Sequence, residues 1–293
     1  MTILKVDTVS GIGTEGTVFE GDITFDSLNY MTLPKGTTTQ SNRGRGLLGG
    51  SNDGSPFSDN IQYINIQSQG NSVDFGNLTS ARSRTSSYSS STRGIWGGGN
   101  PKTNIIDYVT IATTANAIDF GDLTVARRFC SGTSSETRGL TAGGNEASPA
   151  SPYPSVNVID YTTISSVGNA TDFGDLLAAK SGPGALSSTI RAVFGGGYGD
   201  GAPAGATNNI TYATIATTGN TADFGDLTVN KRYLSGVSSN IRGVWAGTGT
   251  PAIGNTMDFV TIATTGNAAE FGDTMTNMGY SAGCSDSHGG LSE

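Results

Sequence analysis

Residues 93–123 read RGIWGGGNPKTNIIDYVTIATTANAIDFGDL, and related copies of this stretch recur until the 293-residue chain holds five. Each copy has an arginine, then a glycine-rich segment, then two aromatic positions, the second of which lies in an Asp-Phe-Gly-Asp-Leu motif or a close variant. The arginines are Arg45, Arg93, Arg138, Arg191 and Arg242; the first aromatic position holds Tyr63, Tyr108, Tyr161, Tyr212 and Phe259; the second holds Phe75, Phe120, Phe173, Phe224 and Phe271.

The spacing of these positions indicates a rigid frame with one variable loop. The two aromatic residues of a repeat are always 12 residues apart, and each of the first four phenylalanines precedes the next arginine by 18 residues. The distance from the arginine to the first aromatic residue instead runs 18, 15, 23, 21 and 17. A frame of constant length with one variable loop predicts a structural unit that is stacked several times.

The composition favours an all-β chain. It contains 44 glycines and only 14% charged residues, which suits short strands and tight turns better than helices. The net charge of −8, with no basic cluster in the sequence, argues against binding to a nucleic-acid backbone. No apolar run reaches the roughly 20 residues that span a bilayer, and the N-terminus lacks a signal-peptide pattern. We therefore expect synthesis in the cytoplasm and no membrane insertion.

The two cysteines give no disulfide framework. Cys130 and Cys284 occupy positions that are not equivalent in the repeat, so the sequence predicts free and largely inert thiols.

Each repeat has room for four short antiparallel strands. In one repeat they are predicted at 126–134, 138–144, 158–165 and 170–176, separated by turns rich in Ser, Thr, Gly and Asn. Four such strands per period form one blade of a β-propeller. A β-solenoid is the alternative, but its rungs are usually shorter and need no combination of two tight turns with one long loop.

The repeat resembles the kelch repeat, which has a Gly-Gly pair after its second strand, two later aromatic residues and an arginine that opens the next blade. The matching pairs are Gly49-Gly50, Gly97-Gly98, Gly143-Gly144 and Gly195-Gly196. Two features depart from the kelch pattern: the second aromatic residue is Phe where kelch repeats usually have Trp, and the fifth repeat has Gly247-Thr248. The resemblance covers residues 45–290 and implies a propeller, but it implies little about function.

The ends of the chain predict how the ring closes. The first repeat starts at its second strand, whereas residues 279–287 match the innermost strand of the other repeats and have no following partner. We therefore expect the C-terminal strand to complete the first blade and to close five blades, with six as the alternative. The innermost segments are rich in small residues, as a crowded axis requires: Ser86, Ser87, Gly132, Thr133, Ser134, Ala185, Gly236 and Gly283.

The strand order places all variable loops at one end of the propeller, where a rigid scaffold would display them for recognition. A purely solvated set of insertions is the alternative. The candidate recognition residues in or beside these loops are Ser51, Asn60, Asn100, Asn104, Asn145, Tyr153, Asn157, Tyr198, Asp200, Asn209, Thr248 and Asn255.

Residues 1–44 precede the repeats and form an extended, glycine-interrupted segment that is too short for a core of its own. This opening resembles the N-terminal segment of structural proteins of tailed marine phages, particularly those that infect cyanobacteria. The resemblance implies an arm that docks on other virion proteins, with residues 45–293 as the propeller. A leader without fixed structure is the alternative. The candidate anchoring residues are Ile3, Leu4, Val6, Val9, Phe19, Phe25, Tyr30 and Leu33.

The sequence predicts no catalytic, cofactor or metal site. The repeated Asp-Phe-Gly-Asp motif could bind calcium, but it recurs like a packing device, with Phe in the core and the acids capping a turn. It lacks the partner motifs of a kinase, and the ligands of kelch-type copper oxidases are absent. His288, the single histidine, aligns with turn residues. The repeated arginines are expected to bridge blades through backbone carbonyls or acidic turns rather than to bind a ligand.

These observations predict a non-enzymatic virion structural protein of a tailed phage, made in the host cytoplasm. The preferred location is the tail or fibre apparatus, where the loops would contact a host surface glycan or protein and residues 1–44 would dock on the virion. Capsid decoration or a joining role in the tail is the alternative. A carbohydrate-active enzyme is the third hypothesis, and the lack of clustered acids with histidine disfavours it.

Overall fold

The computed structural model describes residues 45–51, 57–65, 70–146, 154–199, 205–248 and 254–278. This part of the chain is all-β and forms a five-bladed β-propeller, which confirms the predicted fold class and blade number. All of it belongs to one compact unit, residues 42–293. The proposed arm at 1–44 and the closing strand at 279–287 lie outside the described residues and stay predictions.

The described strands divide into five blades. Blade 1 contains Arg45–Gly49 (β1), Asn60–Asn65 (β2) and Val73–Asn77 (β3). Blade 2 contains Ser86–Ser89 (β4), Arg93–Gly97 (β5), Thr103–Thr110 (β6) and Ile118–Arg128 (β7). Blade 3 contains Ser131–Ser134 (β8), Arg138–Ala142 (β9), Val158–Thr163 (β11) and Thr171–Asp175 (β12). Blade 4 contains Gly184–Ser187 (β14), Arg191–Gly195 (β15), Thr207–Thr214 (β17) and Ala222–Lys231 (β18). Blade 5 contains Ser235–Ser238 (β19), Arg242–Thr248 (β20), Gly254–Thr261 (β21) and Ala269–Met278 (β22).

Three two-residue strands lie beside the links between blades. Asn145–Glu146 (β10) pairs with the end of β7, and Lys180–Ser181 (β13) pairs with Tyr198–Gly199 (β16). The predicted continuous strand at 126–134 is therefore wrong in detail: residues 127–128 still belong to β7, and the chain turns at Phe129 before β8 begins. This break matters because it separates the link from the innermost strand.

Antiparallel order gives the propeller two distinct ends. The loops after β1, β5, β9, β15 and β20 lie at the same end as the blade-to-blade links, and we call this end the loop face. The tight turns before β5, β9, β15 and β20, together with those before β7, β12, β18 and β22, lie at the other end, which we call the turn face.

The Asp-Phe-Gly motif docks each blade on the next. In all five blades the register shifts at this Phe, so the residue forms a β-bulge. The following Gly174 has φ +139°, and a Cβ there would lie 2.5 Å from the Gly219 carbonyl of the next blade. The amide of Gly219 donates to the Phe173 carbonyl at 2.7 Å. The motif is thus a packing device, as predicted.

In the described part of the chain, no carboxylate of the motif accepts a hydrogen bond from the neighbouring turn, contrary to the prediction. Instead, an asparagine side chain from that turn accepts a hydrogen bond from the backbone amide of the fourth motif residue. Asn220 Oδ1 accepts from the Asp175 amide at 3.0 Å, and Asn116, Asn169 and Asn267 do the same at 3.0–3.1 Å for Asn77, Asp122 and Asp226.

Four of the five repeated arginines bridge blades through backbone carbonyls, which confirms that prediction for them. Arg138 stacks over Tyr161 at 4.5 Å from the ring centroid, and its Nη1 donates to the Ile215 carbonyl of blade 4 at 2.8 Å. Tyr161 in turn meets Phe173 edge to face, with ring centroids 6.2 Å apart. The same inter-blade bond joins Arg45 to Ile111, Arg93 to Ile164 and Arg191 to Ile262.

Apolar side chains form the core in layers between successive blades. Leu140, Ile159 and Phe173 of blade 3, for example, pack against Ala192 and Phe194 of blade 4. The motif phenylalanines of blades 1–4 are buried, but Phe271 of blade 5 is 47% exposed. Among the described residues, no turn lies against Gly272, so Phe271 lacks the cover that the next blade gives to the other four.

Small residues line the axis, as predicted, because successive blades approach too closely there for larger ones. A Cβ at Gly236 would lie 2.3 Å from the Ala185 carbonyl. A chain of serine hydroxyls also links the innermost strands: Ser134 donates to the Ser89 carbonyl, Ser187 to Ser134 and Ser238 to Ser187, at 2.8–3.0 Å.

Three junctions between blades contain a buried ion pair. A basic residue seven positions after the motif Phe contacts an aspartate in the next blade, and both partners are at most 1% exposed. The pairs are Arg82 with Asp107, Arg127 with Asp160 and Lys231 with Asp258, at 2.9–3.1 Å. A threonine hydroxyl donates to each aspartate at 2.6–2.7 Å.

The junction between blades 3 and 4 has the cation without the aspartate. Lys180 is 1% exposed, and the equivalent acid position holds Thr211. Among the described residues, Lys180 Nζ donates only to the carbonyl and side-chain oxygens of Asn209, at 3.3 and 3.5 Å, and Thr211 Oγ1 is buried without a hydrogen-bond partner. Burial lowers the pKa of Lys180 to about 8 because no carboxylate offsets its loss of hydration.

We expect Thr211→Asp to raise the free energy of unfolding at pH 7 by about 2 kcal/mol, because it gives the buried ammonium a charged acceptor. The gain should shrink between pH 8 and 10.5. In the native wild-type protein Lys180 loses its proton above about pH 8, whereas the unfolded chain keeps it until about 10.5, so wild-type stability rises through this window. Urea unfolding of both proteins across this pH range measures the difference. Subtracting the two free energies of unfolding at each pH cancels the contributions of the other titrating groups.

Asp160→Thr is the matched opposite of this substitution. It leaves Arg127 buried and unpaired and should cost about 3–5 kcal/mol. A Thr211→Asp protein no more stable than wild type at pH 7 would contradict our interpretation of this junction.

Gly174→Ala should cost more than about 3 kcal/mol, because the new Cβ meets the backbone of blade 4 and the φ is unfavourable. Gly219→Ala is the control: it faces Gly174 across the same junction, has φ +155° and has open space at its Cβ. Its cost should come from the unfavourable φ alone, about 1–3 kcal/mol, and stay below that of Gly174→Ala. Equal losses of thermal stability in the two variants would show that the close approach of the two backbones does not determine the cost of the substitution.

Candidate functional site

The links between blades bring basic and aromatic side chains to the loop face. Each described link starts with the buried cation of the junction and continues for two further residues. The links are 82–84, 127–129, 180–182 and 231–233, and they read Arg-Ser-Arg, Arg-Arg-Phe, Lys-Ser-Gly and Lys-Arg-Tyr.

The third residue of every described link has a left-handed backbone. The φ angles are 58° for Arg84, 56° for Phe129, 59° for Gly182 and 57° for Tyr233. A chain of hydrogen bonds holds this geometry: Phe129 N donates to Arg84 O at 3.1 Å, Gly182 N to Phe129 O at 2.8 Å, and Tyr233 N to Gly182 O at 2.9 Å. The four residues therefore follow one another around the axis.

Their side chains form a continuous arginine and aromatic group. The rings of Phe129 and Tyr233 lie 5.3 Å apart. Arg84 stacks over Phe129 at 4.7 Å, and Arg232 lies 5.2 Å from the Tyr233 centroid and 4.9 Å from that of Tyr198. We call the group of Arg84, Arg128, Phe129, Tyr198, Arg232 and Tyr233 the axial cluster.

Arg128 joins the cluster to a variable loop. Its guanidinium carbon lies 5.6 Å from the Phe129 ring centroid, and its Nη1 donates to Asn100 Oδ1 at 2.7 Å. Asn100 is one of the predicted recognition residues, and its backbone also pairs with Ser83 of the preceding link. The loop and the cluster are therefore parts of one surface.

The fold does not require bulky side chains at these left-handed positions. Gly182 occupies the equivalent place in one link and keeps the same φ and the same hydrogen bonds. A left-handed residue other than glycine costs about 1 kcal/mol or more. Arg84, Phe129 and Tyr233 thus maintain strained backbone where glycine would suffice, and such strain concentrates at ligand sites.

Charge distinguishes the axial cluster from the rest of the surface. Three guanidinium groups gather here in a chain of net charge −8. Within the described part of the chain, neither Arg84 nor Arg232 forms an ion pair, and Arg232 Nε is buried without a hydrogen-bond partner. The arginines of the axial cluster come from separate links, so they form no basic cluster along the sequence.

The predicted recognition residues have different roles. Tyr198 and Asn100 lie at the axial cluster. Asn60 and Asn209 donate instead to Asp74 and Asp223 on the adjacent strands, at 3.2 and 3.3 Å. Three others belong to strands and one ends a strand: Asn104 lies in β6, Asn145 in β10, Asn255 in β21, and Thr248 is the last residue of β20.

Two further predicted recognition residues, Ser51 and Asn157, lie in the described part of the chain. Ser51 is exposed on the loop face, and the Asn157 carbonyl accepts from the Leu176 amide at 2.7 Å. Outside the described residues lie Tyr153, Asp200, His288, Cys284 and the anchoring candidates Ile3, Leu4, Val6, Val9, Phe19, Phe25, Tyr30 and Leu33.

The thiol of Cys130 and the hydroxyl of Tyr88 are buried. Cys130 is a free thiol, as predicted, and burial raises its pKa to about 11. Burial also raises the pKa of Tyr88 to about 12. The described ranges contain no group of three or more His, Cys, Asp or Glu side chains able to hold a metal ion. They also contain no helix long and apolar enough to cross a membrane.

No protein-family model matches this chain, and no curated protein matches it. The resemblance to kelch repeats and to phage structural proteins therefore rests on the motifs quoted above and stays a prediction.

We expect Arg84→Gly to leave the free energy of unfolding unchanged or to raise it by up to about 1 kcal/mol, because glycine relieves the left-handed strain. Gly182→Ala should destabilise, since a Cβ there would lie 2.5 Å from Tyr233 Cδ1. Thermal and urea unfolding measure both. A loss above 1 kcal/mol in Arg84→Gly would assign that side chain a structural role instead.

Proposed function

We propose that this chain is a non-enzymatic virion structural protein of a tailed phage, which presents its loop face to the host-cell surface. In this proposal, residues 1–44 anchor it to other virion proteins of the tail or fibre apparatus. The phage assignment is supported by the resemblance of the N-terminal segment and the repeats to proteins of such particles.

The attachment role is supported chiefly by the axial cluster. The propeller is rigid, since every described junction is joined by hydrogen bonds and an apolar layer. On this scaffold all length variation lies at the loop face, and the arginine and aromatic residues that the fold does not need lie at the same face. Rigid scaffolds with variable loops are typical of recognition proteins.

An adsorption assay with a one-sided block tests this role. Purified protein should bind host cells and slow adsorption of the phage by occupying its receptor. Cys284→Ser removes one native thiol, and the other, Cys130, is buried. A polyethylene glycol maleimide can then be directed to a single introduced cysteine. Ser51→Cys places the polymer on the loop face, and Thr218→Cys places it on the turn face; both positions are exposed.

The polymer at position 51 should abolish competition, and the polymer at position 218 should leave it intact. Competition lost only in the turn-face conjugate would reverse the proposed orientation. An unmodified protein that neither binds cells nor slows adsorption would refute attachment. A density map of intact particles complements the assay: propeller-sized discs at the tail are expected, and discs spread over the capsid lattice would instead support decoration.

A further inference from the structure

We propose that the axial cluster binds the carboxylate of an acidic saccharide unit, such as a uronic acid at the end or branch of a surface polysaccharide. The inference rests on the proposed attachment function and names the chemical class of its ligand.

The guanidinium groups favour an anionic ligand. The guanidinium carbons of Arg84 and Arg232 lie 4.7–5.2 Å from aromatic ring centroids, and such cation–π contacts leave N–H donors for an anionic partner. In the described residues no carboxylate pairs with either of them, and Arg232 Nε has no acceptor. Arg84 is exposed, so a ligand carboxylate can accept charge-assisted hydrogen bonds from its guanidinium.

The aromatic rings favour a saccharide. Phe129, Tyr198 and Tyr233 are half-buried, so each keeps part of its surface accessible. The apolar C–H face of a sugar ring packs on such surfaces, while its carboxylate reaches the neighbouring guanidinium. The stacked geometry also holds the arginines in place before binding, which reduces the entropy lost on association.

The charge of the whole chain disfavours a long polyanion. The guanidinium groups of Arg84 and Arg232 match one or two carboxylates, but the chain as a whole carries a net charge of −8 and repels an extended nucleic acid. A nucleic-acid partner would need a basic track that continues beyond the axis. In the described residues outside the cluster, the arginines and lysines are instead chiefly occupied in the stacked columns and the buried junctions.

Isothermal titration of the full chain with trigalacturonic acid tests the proposal, with the trisaccharide methyl ester as the matched neutral ligand. We expect the acid to bind and the ester to bind at least tenfold more weakly, because esterification removes the charge but keeps the sugar rings. Equal affinity for the two ligands would overturn the proposal, and so would a preference for single-stranded DNA over the acid.

Three variants locate the site. Arg84→Gly, Arg232→Gln and Phe129→Gly should each raise the Kd for trigalacturonic acid about tenfold, the effect of losing one charge-assisted contact or one stacking surface. Arg242→Gln is the charge-matched control, because Arg242 is exposed at the turn-face end of β20. It should leave the Kd within twofold of wild type. A loss as large as in Arg84→Gly would mean that net charge, not this site, governs binding.

The two proposals can fail separately. Protein that competes for host adsorption but binds no trigalacturonic acid would refute the saccharide inference and leave attachment standing. Protein that binds the acid through Arg84 and Arg232 but binds no host cell would retain the site and refute attachment.

Discussion

The close approach of the Asp-Phe-Gly bulge to the turn of the following blade is the constraint on which the propeller depends. A glycine with positive φ lets the two backbones come within the reach of a hydrogen bond, and the bulge turns the phenylalanine into the layer between blades. Because the four described junctions all repeat this close approach, it sets a common distance between neighbouring blades. Successive blades are also joined by the stacked arginines at the turn face, by the serine hydrogen bonds at the axis and by the buried cations at the loop face.

The junctions are similar but not equally satisfied. Those into blades 2, 3 and 5 contain a buried ion pair with a supporting threonine, whereas the junction into blade 4 keeps the lysine and has lost both partners. Thr211 replaces the aspartate and Leu177 replaces the threonine, so the two substitutions occur together. The same link contains Gly182 where the others have Arg, Phe or Tyr. The junction into blade 4 therefore differs most from the others. Its link lies between the links of Phe129 and Tyr233, and the missing side chain at Gly182 leaves room for the Tyr233 ring.

The sequence predicted the frame far better than the site. Blade number and the bridging role of the arginines followed from fixed spacings, because a repeat imposes the same neighbours on each copy. The motif predicts that its acids cap the turn, but an asparagine of the next blade takes this place, and one repeat alone does not show which residues of the next blade it meets. The predicted innermost strand at 126–134 hid the turn at Phe129. The sequence does mark the start of each described link, because a basic residue lies seven positions after the motif Phe in four of the five repeats. This spacing does not show that the second residue after the basic one has a left-handed backbone.

Sequence alone determined the all-β class, the period, the five-fold count and the residues that pack or bridge at each junction, because these depend on local pattern and on identical contacts between adjacent repeats. Only the tertiary structure decided which side chains meet at the axis. Arg84, Phe129 and the pair Arg232-Tyr233 belong to three separate links and become neighbours because the blades are arranged around one axis. The ring also decided that Lys180 is buried opposite a threonine rather than an acid. Both features arise from long-range geometry, which no periodicity in the chain encodes.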